Sequence, residues 1–247
     1  MRFRGPRDFA AITLTLLLIS CGLPRIRHEY TLAPGKGFHA GYRTALLIPI
    51  DSLSEDAFKN VESTHDRIER LIVSHLEARG LRVETLTSER FKEAANEAAR
   101  ALIRERTTEN SDLVSTHVEF VEIVPRMLSN LGTPADLVVV PSIVRRVGRY
   151  NGASMINWDG VGRKEEMRLD HAMTGTTSVL SLHVIVFSRD GERLFEGFGG
   201  LDPLFRPDVR LRQYVVRDNV LQDEDHLGEG ICVAFHPFFG EQEYCRH

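Results

Sequence analysis

Tyr42-Arg43-Thr44-Ala45-Leu46-Leu47-Ile48-Pro49-Ile50 is a near-continuous apolar run closed by a proline. An apolar run without alternation reads as a strand buried on both faces, the pattern of a central parallel strand. A polar stretch, Asp51 to Asn60, follows it. Ser63-Thr64-His65-Asp66 then has the form of a capping box, with Ile68, Leu71, Ile72 and Leu76 at helical spacing behind it. Gly80 supplies a helix stop. Leu81, Val83 and Thr85 alternate with polar residues, so a second strand begins at once. Strand, helix, strand at this spacing is a βαβ unit, and its crossover is expected to be right-handed.

Working outward toward the C-terminus, Ser88 caps a second helix with Phe91, Ala94, Ala95, Ala98, Leu102 and Ile103 on its inner face, broken at Thr107 to Ser111. A third helix is expected from Asp112 to Ser129, kinked at Pro125. Gly132-Thr133-Pro134 turns the chain into a third strand, Ala135 to Val144. Asn151 to Thr174 lacks regular periodicity. Val179 to Phe187 reads as a strand, Arg189-Asp190-Gly191-Glu192 as a hairpin turn, and Leu194 to Phe198 as the returning strand. Gly199 to Arg217 is irregular, and its Arg206, Arg210, Arg212 and Arg217 read as a solvated basic face or an anion site. Asp223 to Phe235 is a last amphipathic helix closed by Pro237, although Gly228 and Gly230 are poor helix formers. The expected fold class is α/β: a mixed β-sheet with helices packed against it, opening with a βαβ unit and containing a late antiparallel hairpin.

The N-terminus has a different character. Arg2, Arg4 and Arg7 precede an apolar run from Phe9 to Ile19. A basic segment followed by a short apolar one is the secretory pattern, and the run is about half the roughly 20 residues needed to span a bilayer. It ends in Leu18-Ile19-Ser20-Cys21, which resembles the bacterial lipobox. The resemblance implies a signal peptide over residues 1–20 and lipidation of Cys21. Several acyl chains give a stable anchor where one does not. Gly22, rather than Asp, implies sorting to the periplasmic face of the outer membrane. Residues 21–41 mix Pro, Gly and basic residues and read as a flexible tether, leaving 42–247 as a single periplasmic α/β domain.

At 42% hydrophobic residues the chain can build a core. Loss of residues 1–20 removes three Arg and one Asp, which takes the net charge from −4 to −6. A mildly acidic exported protein has no general attraction for nucleic acid, and none is expected as a partner. With Cys21 lipidated, Cys232 and Cys245 remain in an oxidising compartment, an arrangement that favours a disulfide. Two free thiols, or a zinc site using Cys232, His236, Cys245 and His247, are the alternatives.

No catalytic constellation stands out. Gly152-Ala153-Ser154 is half of a nucleophile elbow, and Glu165, Glu166, Asp170 and His171 form either an acidic metal or acid/base group or a charged connector. No cofactor or metal is expected. Tyr150, Met155, Trp158 and Arg163 fall in one short stretch bracketed by Asn151-Gly152 and Asp159-Gly160. Tyrosine, tryptophan and arginine dominate binding hot spots, so the stretch is a candidate partner-binding surface; alternatively Trp158 folds back to cover the sheet.

The order of elements, the first strand Thr44 to Ile50, the Ala135-Asp136-Leu137-Val138-Val139 strand, the Asp-Gly hairpin and Trp158-Asp159-Gly160-Val161 together resemble the domain shared by the TolB N-terminal region, the curli-secretion lipoprotein and the lipoprotein activators of penicillin-binding proteins. The resemblance implies a non-enzymatic module, held at the membrane by its lipid, that binds or assembles another envelope protein. A periplasmic hydrolase with an unrecognised site is the competing expectation.

Overall fold

The computed structural model describes residues 28–50, 62–109, 120–132, 134–151, 155–164, 174–208, 213–240 and 245. In chain order the elements are β1 (Tyr30–Leu32), β2 (Thr44–Leu47), α1 (Glu62–Glu77), β3 (Arg82–Thr85), α2 (Ser88–Glu109), α3 (Phe120–Leu131), β4 (Leu137–Asn151), β5 (Met155–Trp158), β6 (Val161–Lys164), β7 (Thr174–Ser188), β8 (Arg193–Pro203), β9 (Phe205–Asp208), β10 (Gln213–Val216) and α4 (Glu224–Ala234). The main sheet runs β1-β8-β7-β4-β2-β3, with β5 added to β4 and β6 to β5; β9 and β10 form a separate antiparallel hairpin. The fold is mixed α/β, parallel around β2 and antiparallel around β7.

The apolar run at 42–50 has the central position its composition demands. β2 lies parallel between β3 and β4, and Leu46, Leu47 and Ile48 are buried. The crossover through α1 leads away from β4, and the one through α2 and α3 leads back past β2. Two crossovers of one hand running in opposite directions place their helices on opposite faces. Accordingly, Ile68, Ile72 and Leu76 of α1 pack with Leu47, Leu137 and Val139 on one face. Phe91, Ala94 and Ala98 of α2, with Val124, Met127 and Leu128 of α3, pack on Leu46, Ile48, Val138 and Phe187 on the other. Asp136 ties the two central strands at their start: its Oδ2 accepts from the backbone N–H of Arg43 at 2.8 Å and of Thr44 at 3.0 Å, and from Thr44 Oγ1 at 3.0 Å. The bond from the Arg43 amide, then those from Thr44, hold this carboxyl below its ordinary value.

Several boundaries differ from the sequence expectation. Glu62 is already helical, so Ser63 sits inside α1 and is not its cap. α2 continues through Thr107 to Glu109. The described part of the third helix starts at Phe120; residues 112–119 lie outside the described set. β4 continues seven residues past Val144, because β7 pairs with it along its whole length, Leu137↔Ser188 to Asn151↔Thr174. The stretch after Asn151 is not all irregular: it contains the β5–β6 hairpin. Part of the expected tether is also structured, since Tyr30–Leu32 pairs with Gly197–Phe195 of β8. That pairing covers an otherwise open sheet edge.

α4 shows why glycines occur in a helix. It rests on β8 at backbone contact: a Cβ on Gly199 would lie 1.9 Å from Gly230 O, and one on Gly230 2.3 Å from Gly200 O. Residues without side chains let helix and strand approach this closely. Asp223 caps the helix, accepting from the N–H groups of Asp225 and His226, each at 3.1 Å.

Candidate functional site

The β5–β6 hairpin turns through Asp159 and Gly160, both in the left-handed region at φ 34° and 81°. Two such residues are what a two-residue hairpin turn of the I′ kind requires, and Asp-Gly supplies them. The turn aims Trp158 and Asp159 inward. Trp158 is 4% exposed and packs with Tyr150, Ile156, Val161, Val179 and Val233. A bulge interrupts the β7–β8 ladder between Leu180 and Ser181, and the Trp158 indole N–H donates to the Leu180 carbonyl at 3.1 Å. A buried indole has found a partner for its only polar group.

Asp159 is buried beside it and is matched on all sides. Its Oδ2 accepts from Ser181 Oγ at 2.6 Å and from Arg146 Nε at 3.2 Å, and its Oδ1 accepts from Arg146 Nη2 at 3.3 Å. Arg146 also bonds Glu29, just ahead of β1, at 2.5 Å, and lies over the Phe198 ring with 4.4 Å to its centroid. One arginine therefore joins β4, the hairpin turn and the N-terminal segment. A buried carboxylate is tolerable only with such pairing.

Next to this clamp, on the same face of the sheet, three strands contribute a polar row. Ser142 Oγ lies 3.3 Å from His183 Nδ1, His183 Nε2 lies 2.9 Å from Glu196 Oε1, and Arg193 donates to Glu196 Oε2 at 3.1 Å. His183 stacks on Phe198 at 4.4 Å. Burial, and secondarily Arg146, pull the His183 pKa below its usual value, while Glu196 opposes them. The residue types are those of a hydrolytic triad. Acyl transfer also needs N–H donors converging on the reacting oxygen. In a sheet the backbone donors lie in the plane while side chains stand perpendicular to it, so among the described residues the row brings an imidazole and a hydroxyl together without N–H donors converging on them.

A recess of about 800 Å³ lies between α1 and α4. Leu71, Ser74, His75 and Arg79 form one wall, and Glu224, His226 and Glu229 are on the other. Burial, then the charge of Arg79, lowers the His75 pKa to about 4.

The sequence-derived candidates are distributed as follows. Tyr150 and Arg163 are buried along with Trp158, at 7% and 5% exposure, and Met155 is half-buried. Arg163 pairs with Glu229 and donates to the His226 carbonyl at 3.1 Å, which ties β6 to α4. Three of the four side chains thus make their contacts within the chain. Cys232 and Cys245 are joined by a disulfide, with 5.4 Å between Cα atoms, so neither offers a thiolate to zinc. Cys21, the 165–171 acidic group, Arg210, Arg212 and His247 lie outside the described residues. Arg206 is exposed beside Asp218 at 3.7 Å. Among the described residues no three His, Cys, Asp or Glu side chains come together as metal ligands do. The clamp and the row were missed in the sequence. Their signal was a polar residue at each of Ser142, Ser181, His183 and Glu196 within apolar strands.

No family model matches the chain, and no curated protein matches it. Among solved structures, a point variant of the PelC dodecamer from Paraburkholderia phytofirmans is 10% identical, over 87% of this chain and 100% of that one, with a TM-score of 0.37. A likeness at that level carries no argument about role.

Proposed function

We propose that this protein is a lipoprotein of the bacterial envelope, anchored through Cys21 to the periplasmic face of the outer membrane, and that it serves as a non-enzymatic module for binding or assembling another envelope protein. The observation that carries the reading is the short distance between the lipobox cysteine and the fold. His28 lies seven residues after Cys21, and the chain is held from Glu29 onward by Arg146 and by β1–β8 pairing. Seven residues reach at most roughly 25 Å. A lipid on Cys21 keeps the body against the bilayer, which raises its effective concentration toward membrane-bound partners. The resemblance to the domain of the curli-secretion and activator lipoproteins supports the same reading.

The test is metabolic labelling with palmitate together with site-specific photo-crosslinking in cells. The wild-type protein is expected to take up label and to stay with the outer membrane. It is also expected to cross-link to a discrete protein. The Cys21→Ser protein is expected to lose label and membrane retention. Membrane retention of an unlabelled Cys21→Ser protein overturns the anchoring. The alternative, a periplasmic hydrolase, has the Ser142–His183–Glu196 row in its favour. Labelling by a fluorophosphonate that Ser142→Ala abolishes would establish it in place of the binding reading.

A further inference from the structure

Among the described residues, the edge of β4 that faces away from β7 is paired only at its two ends. β2 pairs with it from Leu137 to Val139, and the last bond runs from Ile48 N–H to Val139 O at 2.9 Å. β5 pairs with it only at Arg149 and Tyr150. Among the described residues no strand lies along the nine positions between, a gap of roughly 30 Å at strand rise. Alternation determines which backbone groups face the gap. Val139 presents its carbonyl to β2, so Pro141, Ile143, Arg145 and Val147 point the same way. Pro141 has no N–H to offer. Ile143 is buried, whereas Arg145 and Val147 are exposed and direct two donors and two acceptors to the gap.

The arginines beside that edge have no ionic partner among the described residues. Arg145, Val147 and Arg149 share one face of the strand, and Val147 is 65% exposed. Arg145 bonds the neutral Ser178 Oγ, at 2.7 and 3.1 Å, and among the described residues neither Arg145 nor Arg149 has a carboxylate partner. Arg146, on the opposite face, is already taken by Asp159 and Glu29. We propose that the gap between β2 and β5 on β4 receives an extended acidic segment of a partner protein as an added strand, with alternate carboxylates beside Arg145 and Arg149 and an apolar residue against Val147.

In such strand addition the backbone bonds supply affinity and alternate side chains supply selectivity. Two exposed arginines without a carboxylate partner among the described residues favour an acidic strand over a basic one. The inference rests on the protein-binding reading above and names the chemistry of its partner.

The test uses the mature disulfide-bonded protein in detergent and three synthetic octapeptides. The first alternates Glu with Val and Thr. The second has Lys for Glu. The third is the Glu peptide N-methylated at alternate residues. By fluorescence anisotropy the Glu peptide is expected to bind about tenfold more tightly than the Lys peptide, the size two cross-strand charge pairs give, and the N-methylated peptide is expected not to bind. The doubly reversed Arg145→Glu/Arg149→Glu protein should prefer the Lys peptide. Val147→Pro should bind none of them while keeping the wild-type melting temperature, since the lost N–H faces the gap and not β7. Equal binding of the Glu and Lys peptides overturns the proposal, as does binding of the N-methylated one. A concentration-dependent dimer of the wild-type protein that Val147→Pro dissolves assigns the edge to a second copy and overturns it too. No peptide binding, with aggregation of the double reversal, makes the arginines guards of the edge and nothing more. Undiminished cross-linking of the cellular partner by Val147→Pro removes this edge from the interaction while leaving the protein-binding reading intact.

Discussion

The two halves of the sheet are built on opposite principles. Around β2, β3 and the first residues of β4, helices cover both faces and the contacts are apolar almost without exception. Toward the far ends of β4, β7 and β8, α4 covers one face and a two-stranded hairpin folds onto the sheet, with Asp159, Ser181 and Arg163 buried among the apolar residues. A layered half needs only enough apolar area, about 25 cal/mol per Å² removed from water. A half covered by a hairpin brings backbone and turn residues inside, so each buried polar group must be matched or it costs stability. Strength in the first half is spread over many contacts. In the second it is concentrated in a few.

That contrast is open to direct attack. Trp158→Ala should have the largest effect, about 4 kcal/mol, because it empties the centre of the hairpin cluster and leaves the Leu180 carbonyl without its indole donor; urea denaturation measures it. If Trp158→Ala leaves the midpoint unchanged, the hairpin is not part of the cooperative unit. Gly199→Ala should follow, at about 3 kcal/mol, since its Cβ would meet backbone atoms of α4 that cannot yield. Its loss should appear as α4 detaching, read as hydrogen exchange in residues 224–234 rising well ahead of that in β2. Asp159→Asn keeps the shape but weakens the bonds to Arg146 and Ser181, and should cost about 2 kcal/mol. It should also loosen β1, because Arg146 holds Glu29 as well. Proteolysis near residue 30 reads that loosening.

The layered half also buries polar groups on α1, and acid should find one of them. His75 on α1 has its pKa lowered from 6.5 to about 4. The unfolded chain therefore binds a proton that the folded one does not between those values. Stability is retained in full above pH 6.5 and falls as the pH drops from 6.5 toward 4. His75→Gln should flatten that part of the melting-temperature profile. A profile identical in the two proteins would show that His75 is not responsible. The smallest change belongs to the layered half proper: Ile68→Val should cost about 1 kcal/mol, with the same value at pH 5 and pH 7 when measured in the His75→Gln background. A pH-dependent cost there would blur the distinction between the halves.

The layered half was also the legible half. Tyr42 to Ile50, the spacing of Ile68, Ile72 and Leu76, and Ala94 and Ala98 on α2 are local patterns whose period states the element and its buried face. Their outcome as a parallel core around β2 follows from apolar area and crossover geometry. The far half was read only in pieces. The Asp159-Gly160 turn could be seen, because it depends on two adjacent residues. The clamp could not, since Glu29, Arg146, Asp159 and Ser181 come from four separated segments, and a charged residue in a sequence does not state its partner.

Residue order by itself therefore determined the elements that a local period specifies, the two turns that Asp-Gly demands, and the α/β class that follows from their succession. Tertiary structure alone decided what depends on distance between remote residues. It extended β4 to Asn151 because β7 runs beside it. It turned Trp158 inward because a bulge freed the Leu180 carbonyl, and it made Gly199 and Gly230 a contact instead of a flaw. Among the described residues it also left the middle of β4 unpaired on one edge. Backbone conformation is a property of neighbours in sequence, whereas pairing, burial and charge matching are properties of neighbours in space. Only folding establishes which residues those are.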